Sequence, residues 1–298
     1  MGLLSEESEM PQLHVNDGPL DRQQVTRLRP SDPQEPIEEL RRRYQEDGYL
    51  FLKQIIPRED VFKAREAYFK LLSPSGVLKD GTKAAEGIFD LAKDPAAFPG
   101  IGAGSTGKNE RPGGEQAKLF VDLALKAHTE EWYAEDFCKH PNLSTFVAQF
   151  TGWGENTMLF RRSLLRNNIP DTKAIGVHYD QIFLRYGDVT SLTAWCPIGD
   201  IQMDGGGLIY LENSESLGKA CETEFTRKAK AAGFTESEMK CAFNDNMLSN
   251  GLLSEEPAKF GKQHNRRWMA NSFEAGDVVL HSPFMVSDTS LHEIYCEY

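Results

Sequence analysis

The chain of 298 residues is long enough for one large domain with a substantial core, and its 40% hydrophobic and 26% charged residues are typical of a globular protein. A formal net charge of −12 argues against a nucleic-acid-binding protein, because phosphates are bound by clustered basic side chains. No stretch approaches the roughly 20 apolar residues that span a bilayer, so we expect no membrane partner. The acidic N-terminus and five scattered cysteines predict a cytoplasmic protein with reduced thiols.

Hydrophobic periodicity divides the chain into a helical first half and a β-rich second half. Residues 1–35 are polar and proline-dotted, and we expect them to form a flexible lead-in to one domain that spans residues 36–298. Helices are predicted to begin near residues 36, 57, 129 and 142, with a strand at 48–55 between the first two. Residues 75–118 show no steady period, which predicts loop with short helical pieces.

The second half contains short β-rich runs between turn residues, and this spacing predicts a β-barrel or sandwich rather than alternating strands and helices. The runs are residues 157–165, 174–184, 189–195, 206–211, 266–273 and 277–286. Polar helical stretches interrupt them and predict a helical insertion at about 218–265. The predicted fold class is therefore α+β, with helices first and then one β-core.

The strongest chemical signal is the pair His178 and Asp180, which stand two residues apart in an apolar run. Successive side chains of a strand alternate between its faces, so these two point the same way while Tyr179 points opposite. They supply two corners of the 2-His-1-carboxylate site that holds iron(II) and leaves positions open for further ligands. Taken alone, the pattern is common, and a hydrogen-bonded His–Asp pair at a strand end is the alternative interpretation.

Three further motifs give this pair its context. Trp195 follows about one strand later, and residues 204–212 read D-G-G-G-L-I-Y-L-E before a turn at 213–216. Gly276 and Asp277 then open a strand-like run that ends at His281. In this order, and with the early segment D-G-Y-L-F-L-K-Q-I-I-P, the chain resembles the phytanoyl-CoA dioxygenase family of Fe(II)/2-oxoglutarate-dependent dioxygenases over residues 37–286.

The resemblance implies a double-stranded β-helix, the jelly-roll of cupin-like proteins, with N-terminal helices and a helical insertion. Fe(II) would be the metal and 2-oxoglutarate the cosubstrate, which is oxidised to succinate and carbon dioxide while a substrate C–H bond is attacked. By position in the motif, His178 and Asp180 would bind the iron, and Trp195 would lie against the cosubstrate.

The family pattern breaks near the end of the chain. Ser287 stands where the family has its distal histidine, and no Lys or Arg follows Arg267, although the family has an arginine there whose fork grips the far carboxylate of 2-oxoglutarate. Three interpretations are open. His281 or His292 completes the metal site from another position; the protein is a pseudoenzyme; or the C-terminus is a truncated or mis-spliced version of an active dioxygenase, which we favour. We take His281 as the third ligand.

Two other groups of residues have competing interpretations. Arg161, Arg162 and Arg166 precede the His–Asp pair; they are either solvent-facing charges or, for the one that points inward, a contact to a carboxylate, and we assign Arg162 to cosubstrate binding. Residues 102–108 match glycine-rich phosphate-binding patterns, but neither flank supplies the required strand and helix. A surface loop explains them better than a nucleotide site.

The sequence therefore predicts a 2-oxoglutarate-dependent dioxygenase that hydroxylates, desaturates or rearranges a small organic substrate, in secondary metabolism. The acidic net charge and the lack of a basic cluster argue against a CoA ester, whose phosphates favour cations. The alternative is a catalytically inactive protein of the same fold that binds a small molecule or a partner subunit. The oligomeric state is open, and a homodimer is one option.

Overall fold

The computed structural model describes residues 10–99, 114–161, 163–170, 172–186, 190–241 and 251–291. The helices are α1 Ile37–Asp47, α2 Arg58–Leu72, α3 Gly114–Ala127, α4 Pro141–Thr151, α5 Glu215–Ala231, α6 Glu236–Cys241 and α7 Pro257–Gln263, with a π-helix at Trp132–Phe137. The strands are β1 His14–Val15, β2 Gly18–Pro19, β3 Val25–Arg27, β4 Pro30–Ser31, β5 Tyr49–Leu52, β6 His178–Tyr179, β7 Thr193–Trp195, β8 Leu208–Leu211, β9 Trp268–Ala270, β10 Val278–His281 and β11 Val286–Thr289. Among these described helices, none combines the length and the apolar character that a membrane span requires.

The strands form two main sheets and one small hairpin. The four-stranded sheet has the order β4–β5–β10–β7, the five-stranded sheet has the order β3–β9–β8–β11–β6, and β1 pairs with β2. The pairs β4–β5 and β3–β9 are parallel, and the other pairs are antiparallel. Because β10 and β11 are consecutive but belong to different sheets, the turn between them, residues 282–285, connects the two sheets.

Three apolar clusters separate the layers of the fold. The first lies between helices α1–α4 and the four-stranded sheet and takes Val278 and Leu280 from β10. The second lies between the two sheets and takes Val279 of β10 together with Tyr210 of β8. The third covers the outer face of the five-stranded sheet. All four residues of β10 are buried, as expected for a strand with a packed layer on each side.

Two turns fix the ends of β10. At its start, the fully buried Asp277 accepts hydrogen bonds from Lys53 Nζ at 2.6 Å and from the backbone nitrogen of Glu274 at 2.9 Å. At its end, the carbonyl of Gly48 accepts a hydrogen bond from Ser282 N at 2.9 Å. Gly48 has φ +78°, and a Cβ there would lie 2.5 Å from Met285 Sδ, so this position requires glycine. The hydrogen bonds to Asp277 explain the Gly-Asp motif at 276–277 as a structural turn.

The mixed α+β class predicted from the sequence is confirmed, and the early elements match closely. Helices α1, α2 and α4 and strand β5 lie where the periodicity predicted them. The predicted loop at 75–118 gives way to α3 at its end, and the glycine-rich residues 102–108 lie outside the described part of the chain. Helices α5, α6 and α7 occupy the stretch between β8 and β9.

Two predictions from the sequence are wrong. No described residue of the predicted strand at 157–165 is in a sheet; Met158 is 81% exposed, whereas Leu165 is buried against the helices. The pattern was β-rich, but a strand also needs a neighbour to pair with, and periodicity does not supply one. Residues 10–35 are not a flexible lead-in, because they contribute β1–β4, and Leu13 and Val15 are buried. Strands of two or three residues are too short to produce a period.

Candidate metal centre

The two sheets meet at the end of the fold where β6 and β10 end, and there the predicted His–Asp pair is found. His178 is buried on β6, and its Nδ1–H donates to the carbonyl of Gly176 at 2.8 Å. That bond places the proton on Nδ1 and leaves the Nε2 lone pair available to a metal ion. His178 is therefore held in the tautomer that a metal ligand needs.

Asp180 follows β6 at the start of the 3-10 turn Asp180–Phe183. Its Oδ1 lies 3.9 Å from Nε2 of His178, and its Oδ2 accepts a hydrogen bond from Thr193 Oγ1 at 2.7 Å. Thr193 is the first residue of β7 in the other sheet, so this bond fixes the carboxylate across the gap between the sheets. No sequence pattern singled out Thr193, since the contact joins residues from different sheets.

His281 is brought to the same carboxylate by the four-stranded sheet. It is the last residue of β10, directly opposite Thr193 on β7, and its Nε2 lies 3.9 Å from Oδ2 of Asp180. Its ring packs edge-on against Tyr210, with centroids 5.2 Å apart. The structure thus brings together His178, Asp180 and His281, the three residues that the sequence analysis named as metal ligands.

The spacing of these groups is wider than that of a closed metal site. Neighbouring ligand atoms around an octahedral ion lie about 3 Å apart, since the bonds are about 2.1 Å long. Both imidazole nitrogens are 3.9 Å from Asp180, and within the described ranges no three His, Cys, Asp or Glu side chains form a ready metal site. Side-chain movements of about 1 Å would be needed to close the site.

The charge states of the three residues match the chemistry of metal ligands. Burial lowers the pKa of both His178 and His281, although Asp180 acts in the opposite direction, so both rings are neutral at pH 7. Burial alone would raise the pKa of Asp180. The two histidines, the Thr193 hydroxyl and Arg166 outweigh that effect, and its pKa lies below the ordinary value. An ionised carboxylate and two neutral imidazoles are the forms that bind a divalent cation.

The register of the five-stranded sheet shows what stands at the position of the missing histidine. Ser287 of β11 is directly opposite His178 on one side and Tyr210 on the other. Residues opposite each other point to the same face, so Ser287 faces the space between the sheets beside His178. The motif comparison had placed the third ligand at this position. Here it is a buried serine, and His281 approaches from the opposite sheet instead.

Two candidate cosubstrate contacts have different outcomes. Trp195 lies two residues beyond Thr193 on β7, and its ring packs against Phe273 with centroids 4.7 Å apart. Arg162 lies outside the described residues. The charge of Arg166, four residues further along the chain, lowers the pKa of both His178 and Asp180.

Tyr210 is a second residue that sequence reasoning missed. It is completely buried, and its hydroxyl has no hydrogen-bond partner among the described residues. Burial and the nearby Asp180 raise its pKa well above the ordinary value, so the phenol is a neutral donor. Its position in a G-G-hydrophobic run made it look like a core residue.

Helix α5 stabilises the β6 side of the site through Glu222. Glu222 accepts hydrogen bonds from Tyr179 Oη at 2.9 Å and from two nitrogens of Arg185 at 2.5 and 2.9 Å. The guanidinium of Arg185 also lies 3.6 Å from the centre of the Phe225 ring. Tyr179 stands between His178 and Asp180, so this cluster on the outer face holds the strand that carries both.

Comparison with protein-family models gives no match, and comparison with curated proteins gives none either. Solved structures do match, at low identity. One is the non-heme alpha ketoglutarate dependent carbocyclase SnoK from nogalamycin biosynthesis, with a TM-score of 0.48 and 14% identity over 89% of this chain and 81% of that one. Another is the epimerase SnoN from nogalamycin biosynthesis, with a TM-score of 0.43 and 13% identity over 87% of this chain and 77% of that one.

SnoN also appears in complex with Fe3+, alpha ketoglutarate and nogalamycin RO, at a TM-score of 0.43 and 14% identity. SnoK and SnoN are described as non-heme, alpha ketoglutarate dependent enzymes from nogalamycin biosynthesis. The narrower resemblance to the phytanoyl-CoA dioxygenase family remains a prediction from the motifs.

Proposed function

We propose that this chain is a non-heme Fe(II)/2-oxoglutarate-dependent dioxygenase with a double-stranded β-helix core, acting on a C–H bond of a small organic molecule in secondary metabolism. The observation that carries the proposal is the meeting of His178, Asp180 and His281 between the two sheets, with each histidine Nε2 at 3.9 Å from a different oxygen of Asp180. The donor set fits iron(II), whose common protein site is two histidines and one carboxylate.

The chain's own residues would orient and protect this centre. His178, Asp180 and His281 would hold the iron, which with oxygen and 2-oxoglutarate supplies the oxidising power when bound. Thr193 holds one oxygen of the Asp180 carboxylate by a hydrogen bond, and the carbonyl of Gly176 fixes the His178 ring. Trp195 is proposed to lie against the cosubstrate. Arg166 and the Tyr210 hydroxyl are proposed to attract its carboxylates, a role in which Arg166 replaces the arginine that the C-terminal stretch lacks.

Succinate formation tests this proposal. Purified protein is incubated with Fe(II), 2-oxoglutarate, ascorbate and oxygen, and succinate is measured beside the variant Asp180→Ala. We expect slow, substrate-independent succinate release from the native chain and none from the variant. Asp200→Asn, a surface carboxylate paired with Arg58, is the matched control and keeps the native rate. Equal succinate from the native chain and Asp180→Ala would contradict the proposal.

A second candidate, a non-catalytic binding protein of the same fold, is favoured by one specific observation. Ser287 faces the inter-sheet space beside His178, where a third imidazole would complete a compact site. If the native chain yields no succinate, the variant Ser287→His separates the two functions. Succinate release from Ser287→His would indicate an impaired dioxygenase, and none would support the binding protein.

A further inference from the structure

A cleft of about 640 Å³ lies beside the candidate metal centre. It is on the helix side of the four-stranded sheet, at the rim that is formed by the start of β7 and the end of β10. The end of α1, the end of α4, the chain before β7, the start of α5 and the turn after β10 form its walls. The lining residues are Arg41, Tyr44, Gln45, Phe150, Thr151, Trp153, Thr190, Ser191, Leu192, Glu215, Lys219, Ser282, Pro283 and Phe284. Clefts of roughly 300–1,000 Å³ are typical of sites for small molecules.

The cleft and the metal centre share one wall. Leu192 and Ser282 line the cleft, and each directly adjoins a residue of the centre, Thr193 and His281. Side chains alternate along β7 and β10, so the centre faces inward while the cleft lies on the helix side of the rim. The turn after β10 also accepts a hydrogen bond at its Pro283 carbonyl from Gln181 N at 2.8 Å, the residue after Asp180. A molecule in the cleft is therefore separated from the candidate metal centre by the wall that contains Leu192 and Ser282.

The charges of the cleft are already compensated. Arg41 donates to Glu38 at 2.7 Å and to the backbone carbonyls of Phe150 at 2.8 Å and Gln149 at 2.9 Å. Glu215 forms an ion pair with Lys219 at 2.9 Å and accepts from Ser282 Oγ at 2.9 Å. An anionic ligand would therefore compete with Glu38 and Glu215 for these two cations, which reduces the binding energy that it would gain from them.

The remaining surface of the cleft is aromatic with neutral polar groups at its edge. Tyr44 packs edge to face against the buried Phe150, with centroids 5.4 Å apart, and Tyr44, Trp153 and Phe284 are half-buried. Flat ring systems pack well against such surfaces. The hydroxyls of Thr190 and Ser191 and the amide of Gln45 suit hydroxyl or carbonyl groups on a ligand, whereas Thr151 Oγ1 already donates to the Val147 carbonyl at 2.7 Å.

We propose that this cleft binds a neutral, polycyclic, oxygen-bearing organic molecule and holds its reacting part at the rim beside His281. The identification of that molecule as the substrate rests on the proposed dioxygenase function. Its binding in the cleft depends only on the walls described above. A CoA ester or another polyanion would gain less there, because the two described cations that line the cleft, Arg41 and Lys219, already have carboxylate partners.

Calorimetry with two probes tests the cleft, in EDTA so that no metal contributes. The neutral probe is 1,8-dihydroxyanthraquinone, and the charged probe is anthraquinone-2-sulfonate, which has the same ring system. We expect the neutral probe to bind the native chain at least 10-fold more tightly than the charged one. Trp153→Ala and Phe284→Ala should each weaken the neutral probe by about 10-fold. Phe234→Ala removes an exposed phenylalanine outside the cleft and should change its affinity by less than 2-fold.

Thermal unfolding of each variant shows whether it is folded, and either of the two cleft variants is sufficient for the test. Equal affinity of native and cleft-variant chains for the neutral probe would overturn the proposal, and so would no measurable binding or tighter binding of the sulfonate. Mn(II) titration of the same proteins distinguishes the two proposals. A native chain that binds Mn(II) but not the neutral probe rejects the cleft alone, and a native chain that binds the probe but not Mn(II) rejects the metal centre alone.

Discussion

The two sides of the candidate metal centre are held in place by different means. His281 ends β10, a strand paired on both sides by β5 and β7 and fixed at its start by the buried Asp277. His178 lies on β6, a two-residue strand at the edge of the five-stranded sheet as described. It pairs with β11, and the adjoining Val177 exchanges backbone hydrogen bonds with the chain at 253–254. Side-chain contacts of Glu222 with Tyr179 and Arg185 are added to this short ladder. The β10 side has a long backbone ladder on both edges, and the β6 side combines a shorter ladder with side-chain contacts to helix α5.

The largest effect on the free energy of unfolding is expected from a substitution of Glu222, whose contacts hold β6. Glu222→Leu leaves Arg185 buried beside an apolar group, and removing one partner of a buried ion pair costs about 3–5 kcal/mol. The free energy of unfolding, measured with urea, should fall by that amount, and Mn(II) affinity should fall with it. Glu224→Leu, on the exposed face of the same helix, is the control and should cost less than about 1 kcal/mol. Equal losses from both variants would contradict the support assigned to Glu222.

The second-largest effect on stability is expected from a buried carboxylate next to β6. Asp288 on β11 accepts hydrogen bonds from Gly176 N at 3.2 Å and Thr289 N at 2.7 Å, and burial raises its pKa to about 7. Its pKa in the unfolded chain is lower, near 3.8, so the folded protein binds the proton more tightly. The associated stability is complete below the unfolded value and is lost as the pH rises through about 7.

We therefore expect the ionisation of Asp288 to lower native stability between pH 5 and pH 8 by roughly 3 kcal/mol. Asp288→Asn cannot ionise, so the pH dependence of its unfolding free energy should be flatter. Asp200→Asn changes a surface carboxylate and should keep the native slope. If Asp288→Asn and the native chain show the same slope in urea unfolding at several pH values, the assignment is wrong.

The hydrogen bond from Thr193 to Asp180 joins the two sides of the site, and its removal is expected to have a smaller effect, mainly on metal affinity. Thr193→Val keeps the shape of the side chain but removes the hydrogen bond to Asp180, which holds the carboxylate between the two histidines. Groups that orient a metal ligand typically contribute about 10–100-fold to affinity, so we expect roughly a 10-fold loss in Mn(II) affinity with little loss of stability. Thr223→Val on the exposed part of α5 should leave Mn(II) affinity unchanged. An unaltered affinity in Thr193→Val would show that the bond does not position the carboxylate.

The smallest effect on stability is expected at two stacked tyrosines between the sheets, whose ring centroids are 6.2 Å apart. Tyr49→Phe removes a hydroxyl that accepts a hydrogen bond from Arg29 N at 2.9 Å, and it should cost about 1 kcal/mol. Tyr210→Phe removes a buried hydroxyl without a described partner, so unfolding in urea should change by less than about 0.5 kcal/mol. Weaker 2-oxoglutarate binding only in Tyr210→Phe would support its proposed role, and a larger loss of stability there than in Tyr49→Phe would contradict it.

The sequence predicted the β6 side of the site better than the β10 side, and the reason is local geometry. His178 and Asp180 are two residues apart, so strand alternation alone aligns them. Thr193, Tyr210 and His281 reach the site through pairing between distant strands, and no periodicity encodes which strands pair. His281 was named as a replacement for the histidine that the family motif has at position 287, while no pattern singled out Thr193 or Tyr210. The same limit explains the wrong strand at 157–165, whose pattern was suitable but whose described residues pair with no strand.

The most direct test is an anaerobic Fe(II) titration with 2-oxoglutarate, followed by the visible metal-to-ligand charge-transfer band, on the native chain and on His281→Ala. The account predicts a band that saturates at one iron per native chain and is lost in His281→Ala, because His281 supplies the third ligand from the four-stranded sheet. A native chain without a band, or a band of equal strength in His281→Ala, would contradict it.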